Sequence, residues 1–273
     1  MRVRTAKESP SKTEVTLLHD RRRDSILFDN LEKIKMLAQP TTRDRSSTDG
    51  IQVSKRRKEV IRVILFLSIV TLVSGLAYLW LAVYKDRQLW KLLLKPGTMI
   101  WIILLAVVGV VKEPGSYGWL ILIGLLFSLV GDFFLMLPWG RFIQGLFSFF
   151  CAHLCYVAAF FLEMKKNSGG IGITLALILL GGVVFYFLRS GIQEEGGRRL
   201  QWAVIAYILV ISLMVWSAWF TGSSWIFAGA LLFYLSDAIL GWNRFVHPFP
   251  RGDFGVMSTY FAAQYLLALS VGI

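Results

Sequence analysis

Cysteine is nearly absent from this chain. The two present, Cys151 and Cys155, stand four residues apart in one apolar segment. That spacing offers no CxxC metal motif, and core packing explains both thiols. Histidine is as sparse. His19, His153 and His247 are scattered and no HExxH pair occurs, so the spacing supports no metal site and the expected metal and cofactor set is none. No GxSxG elbow, Walker motif or dinucleotide fingerprint appears either. Charge is thin at 17% of residues, less than an ordinary soluble domain carries. A cleavable signal peptide is also missing, because the first sixty residues are polar, so the first apolar span is expected to act as an uncleaved insertion signal.

What the chain has in abundance is apolar surface. Of 273 residues, 56% are hydrophobic, with 20 Phe, 10 Trp and 9 Tyr. They fall in repeated runs of about 20 residues, the length that crosses the hydrocarbon core as a helix. The runs do not alternate polar and apolar, which excludes a porin-like barrel. The expected fold is therefore all-α: a polytopic membrane helical bundle of about eight transmembrane helices. The spans are read at roughly 61–83, 94–111, 117–138, 142–163, 170–189, 200–220, 224–241 and 254–272. Lys95-Pro96 marks the opening of the second span, where a missing N–H costs little. EPGSYG at 113–118 and NSGG at 167–170 read as turns. Connections are short, so sequential helices should pack as neighbours.

The formal charge of +12 at pH 7 raises the question of nucleic acid. Its placement argues against it. Most of the excess lies in the first 62 residues, in runs such as RRR at 21–23 and KRRK at 55–58. The second run abuts the first span, where basic residues set topology or touch anionic lipid. Residues 1–60 are expected to form a polar, largely disordered tail with a short amphipathic helix near 24–37, and residues 61–273 the membrane domain. The basic run before span 1 favours a cytosolic N-terminus, while later loops with Lys85, Arg87, Lys91, Arg189 and Arg244 favour the opposite side over Lys112, Lys165 and Lys166. The tail's size and composition suggest a eukaryotic source and the endoplasmic reticulum membrane.

Two carboxylates break the apolar pattern. Asp132 stands in GDFFLMLP and Asp237 in FYLSDAILG. An intramembrane carboxylate costs a few kcal/mol or more, so it faces the bundle or an aqueous cavity. Helix directions alternate, so spans 3 and 7 end at the same surface. At about 1.5 Å per residue both aspartates lie within roughly 10 Å of it. Spans 2, 4 and 8 begin there, carrying Lys95, His153, Tyr260 and Gln264. Ser128 and Asp132 share a helix face at i,i+4, Asn243 follows Asp237, and Tyr207 and Met214 in span 6 are i,i+7. The plain alternatives are a salt bridge between Lys95 and one aspartate, a helix–helix hydrogen bond for His153, and core packing for Met214. Two carboxylates at one depth, with these polar neighbours, favour a polar pocket.

The ordered set of stretches resembles the YhhN/TMEM86 family. It comprises KPGTM at 95–99, GLLFSLVGDFFLML at 124–137, GLFSFFCAHLCYV at 145–157, YILVISLM at 207–214, GALLFYLSDAIL at 229–240 and YFAAQYLL at 260–267. The resemblance runs through nearly all of residues 90–273. It implies an eight-helix integral membrane fold. It also implies hydrolysis of the vinyl ether bond of lysoplasmalogens to a fatty aldehyde and glycerophosphocholine or glycerophosphoethanolamine. The family's paired acids fall on Asp132 and Asp237, and its lysine, histidine, tyrosine and glutamine on Lys95, His153, Tyr260 and Gln264.

On that reading the chemistry needs a proton on the β-carbon and water at the resulting oxocarbenium carbon. One aspartate would serve as general acid and the other as charged stabiliser or base, the two sharing one proton at close range. His153 would shuttle protons or hold water. Lys95 would meet the lipid phosphate or a carboxylate, and Tyr207, Asn243, Tyr260 and Gln264 would complete the substrate site. The competing readings are a proton-coupled transporter or lipid-binding membrane protein and, third, a structural interaction protein. Strongly broken helices and inverted repeats would favour transport, and neither is evident.

Overall fold

The computed structural model describes residues 42–85, 88–137, 140–165 and 169–272. The amphipathic helix expected near 24–37, His19, Arg87, Lys166 and the first half of the turn at 167–170 lie outside the described residues. Chain contacts divide the molecule into Met1–Glu59 and Val60–Ile273. In the first unit, residues 42–59 are helical. The second unit holds everything that follows.

All regular structure among the described residues is helical. Helix α1, Thr42–Ala77, continues as a π-helical segment, Tyr78–Tyr84, closed by Lys85 N–H donating to the Trp80 carbonyl at 3.2 Å. Then come α2 (Gln88–Lys112), α3 (Ser116–Met136), α4 (Phe142–Leu162), α5 (Gly170–Phe220), α6 (Ser224–Phe245) and α7 (Gly252–Leu269). Short connections make sequential helices neighbours, as α3–α4, α4–α5 and α6–α7 packing demonstrates. The last helix then returns to pack on α2, α3 and the π-helical segment, which brings the two ends of the bundle together.

Six of these helices are long and apolar enough to cross a membrane, against the eight crossings that the sequence pattern predicts. The difference has two sources. Helix α5 runs for 51 residues but is interrupted at Gly197, with φ 60° and ψ −152°. That backbone region is essentially open to glycine alone. Two of the predicted segments are thus carried by one helical element with a break between them. Helix α7 is the second source. It has 18 residues and includes Asp253, Tyr260 and Gln264, polar groups that lower its hydropathy because part of its surface faces the bundle interior.

The second helix also starts earlier than expected. It begins at Gln88, so Pro96 lies inside it. Proline removes the N–H that would reach the Leu92 carbonyl, close to Lys95. The extra turns ahead of the proline carry Lys91 toward the same end of the bundle as the close of α3 and α6.

A buried apolar cluster unites the bundle, with Met99, Ile102, Ile121, Leu125, Phe160 and Leu267 all fully or nearly fully enclosed. Large apolar side chains such as Leu65, Phe66, Phe147 and Trp202 are exposed on the outside. In water such a surface would aggregate; against lipid tails it is well solvated. Small residues set the closest approach. A Cβ placed on Gly131 would meet the Phe149 ring at 2.7 Å, so glycine there lets α4 lie close on α3, next to Asp132.

Candidate active site

Helix α3 carries Asp132 into the interior, 2% exposed. Lys95 from α2 places Nζ 2.9 Å from Asp132 Oδ1. Tyr260 from α7 donates its hydroxyl to Asp132 Oδ2 at 2.7 Å. Both carboxylate oxygens are therefore engaged, by partners from two different helices. The neutralising lysine and the short hydrogen bond are what make a buried carboxylate tolerable.

Asp237, from α6, is held differently. Its Oδ2 accepts from the Tyr207 hydroxyl of α5 at 2.5 Å. His153 Nε2, from α4, stands 3.1 Å from the same oxygen. Among the described residues, no partner is recorded for Oδ1, and the side chain is 12% exposed. So one aspartate is clamped at both oxygens and the other at one.

An aromatic floor joins the two. Phe233 meets His153 edge-on at 4.7 Å between centroids and Tyr260 edge-on at 5.5 Å. Phe149 meets Tyr260 at 5.9 Å. Edge-to-face contacts of this kind fix ring orientation as well as burying area. Behind them Tyr156 donates to Gln264 Oε1 at 2.8 Å. His153 Nδ1 and Gln264 Nε2 are buried with no hydrogen-bond partner among the described residues.

Both aspartates border one cavity of about 410 Å³, with Lys95, Asn243 and Tyr260 also in its wall. That is the volume of a small-ligand site. It opens where α2, α4 and α7 begin and α3 and α6 end, the end at which the sequence pattern converges its polar groups. His153, Tyr207 and Gln264 do not border it. His153 and Tyr207 reach it only through Asp237, and Gln264 supports Tyr156. Met214 is fully enclosed in the core, the packing alternative for that residue. Lys95 is taken by Asp132. Among the described residues no three His, Cys, Asp or Glu side chains converge as a metal site would require.

Several wall residues escape the sequence reading. Tyr78 comes from the π-helical segment, an irregularity that no periodicity announces. Asp253 and Met257 do carry a signal: with Val256 and Tyr260 they repeat at i, i+3, i+4 and i+7 on α7 and all border the cavity. Lys91 and Lys95 show the i,i+4 version on α2.

These features define an integral, multi-pass helical membrane protein with a polar cavity let into one end of the bundle. The chain belongs to the YhhN family, whose model matches residues 90–271. It is 35% identical over 163 residues to human lysoplasmalogenase TMEM86B, covering 59% of this chain and 67% of that relative. To the Sus scrofa protein of the same name it is 37% identical, with the same coverage. It is 27% identical over 205 residues to the Escherichia coli O157:H7 protein called "Uncharacterized membrane protein YhhN", covering 70% of this chain and 93% of that one. The alignments to the mammalian relatives thus span about two thirds of their length. No solved structure matches.

Proposed function

We propose that this chain is a lysoplasmalogenase, hydrolysing the vinyl ether of a lysoplasmalogen to a fatty aldehyde and glycerophosphocholine or glycerophosphoethanolamine. The carrying observation is the unequal pair of carboxylates on one cavity: Asp132 engaged at both oxygens, Asp237 at one. The names of the mammalian relatives support the same activity.

The unequal clamps suggest a division of labour. On this reading Asp237 is the proton donor to the β-carbon of the vinyl ether, from the oxygen that its two partners leave unengaged. The double-bond electrons form the new C–H bond and the α-carbon becomes an oxocarbenium ion. Asp132, held as a carboxylate by Lys95 and Tyr260, stabilises that positive charge through the low-dielectric cavity. Water adds to the α-carbon as Asp237, now unprotonated, takes the water's proton. The hemiacetal then collapses: the C–O bond to glycerol breaks, Asp237 protonates the leaving oxygen, and the hemiacetal hydroxyl proton returns to restore the acid. The sum is vinyl ether plus water giving aldehyde plus alcohol. This resembles the exchange of acid and base roles in two-carboxylate glycosidases.

Tyr207 and His153 act on this scheme as positioning residues. They hold Oδ2 and so fix the carboxyl group of a residue that borders the cavity. The protein crosses the membrane eight times on this reading, with α5 counted as two crossings broken at Gly197. The endoplasmic reticulum is the membrane proposed.

The test is aldehyde release from defined lysoplasmalogens by purified protein, with Asp132→Asn and Asp237→Asn in parallel and folding monitored for each. Turnover by the wild type that is lost in both folded variants supports the assignment. A folded wild type that turns over neither the ethanolamine nor the choline substrate sinks it and favours lipid binding or transport.

A further inference from the structure

The rim of the cavity carries charges that the proposed chemistry does not use. Asp253, Arg244 and Lys91 all border it. They stand in register with the inner groups. On α7, Asp253 precedes Tyr260 by seven residues, two turns or about 10 Å along the axis. On α6, Arg244 follows Asp237 by the same interval, and on α2, Lys91 precedes Lys95 by one turn. Each helix therefore presents one inner and one rim polar group on a single face. Arg244 is shared with Glu195 through an ion pair and covers the Phe142 ring at 5.1 Å. Asp253 is exposed, and among the described residues no ion pair or hydrogen bond to its carboxylate is recorded. Tyr78, in the same wall, lies within the electrostatic reach of Asp253.

We propose that Asp253 receives the ammonium of the lysolipid headgroup and makes the cavity selective for zwitterionic over purely anionic lysolipids. The inference rests on the hydrolase reading above. In the substrate the phosphate stands one glycerol away from the vinyl ether, and the ammonium one ethylene bridge beyond that. With the ether between Asp132 and Asp237, the headgroup extends toward the rim. There Arg244 and Lys91 suit the phosphate, and an exposed carboxylate in the cavity wall suits an ammonium or a quaternary ammonium. The ordinary role for an acid in the first turn of a helix is to complement the helix dipole. That role would treat every substrate alike, which separates the two readings.

The experiment compares alkenyl-glycerophosphoethanolamine, alkenyl-glycerophosphocholine and alkenyl-glycerophosphate, which has no ammonium. Asp253→Asn should raise KM for the first two about fivefold, as expected for losing one part-exposed ion pair. It should leave kcat unchanged and leave KM for the bare phosphate unchanged or lower. Asp253→Glu keeps the charge and should keep the wild-type preference, which guards against a folding effect of the neutral variant. Equal KM shifts for all three substrates, or none, would overturn the assignment while leaving the hydrolase reading intact. No aldehyde from the wild type with any of the three would overturn both.

Discussion

Lys95 Nζ stands 2.9 Å from Asp132 Oδ1, with the lysine side chain 10% and the aspartate side chain 3% exposed. This is a charge pair removed from water, two turns into one helix and near the end of another. Breaking one half of such a pair leaves an uncompensated charge and destabilises by about 3–5 kcal/mol, whereas replacing both with apolar groups is often neutral. Lys95→Met should therefore lower the unfolding midpoint in detergent sharply. The double variant Lys95→Met/Asp132→Leu should recover most of it and show no turnover. Equal stability for the single and double variants would remove the ion pair from the stability argument.

Asp237 makes a different prediction because its hydrogen bonds come from groups that stay outside the cavity. Asp237→Asn is nearly isosteric and can still accept from Tyr207. Loss of a general acid lowers turnover by about 10²–10⁴-fold, with the unfolding midpoint moving little. Tyr207→Phe should lower kcat by a smaller factor and leave KM near the wild-type value, since Tyr207 does not border the cavity. A KM effect larger than the kcat effect would mean that Tyr207 touches the lipid.

The outline of this site was legible because helix geometry is regular. Counting residues back from the ends of two spans was enough to bring Asp132 and Asp237 to one depth, and Lys95 and Tyr260 followed from spans that begin at that surface. Depth says nothing about rotation. His153 and Gln264 belong to the same half of the membrane, His153 nearer its midplane, and are buried behind the wall, a distinction that depends also on which way each helix is turned against its neighbours. Irregular backbone was hidden for a related reason. The π-helical segment that brings in Tyr78 and the break at Gly197 both depart from the 3.6-residue period by which helices are recognised.

Tyr260 is held in two ways, since it donates to Asp132 and packs edge-on against Phe149 and Phe233. Tyr260→Phe keeps the ring and removes only the hydroxyl. The buried carboxylate then loses one of its two partners, at about 1–3 kcal/mol. Stability should fall by that amount. Turnover should fall too, because Asp132 is no longer fixed. Tyr260→Leu should cost more stability than Tyr260→Phe, by the aromatic packing. If the two variants were equally stable, the ring contacts would contribute nothing measurable.

Gly197 offers a control remote from the chemistry. Its φ of 60° and ψ of −152° lie where a Cβ is strongly disfavoured, and nothing crowds the position within 4 Å. The constraint is thus backbone conformation alone. Gly197→Ala should destabilise by about 1–3 kcal/mol, or drive the break toward continuous helix. The residue does not border the cavity that holds Asp132 and Asp237. Molecules that still fold should therefore keep wild-type kcat and KM. Stability is read from the unfolding midpoint and activity from aldehyde release per folded molecule. Unchanged stability would mean that α5 runs straight through this point as readily as it bends. Lost activity in folded protein would mean that the two halves of α5 must be broken apart for Tyr207 to reach Asp237.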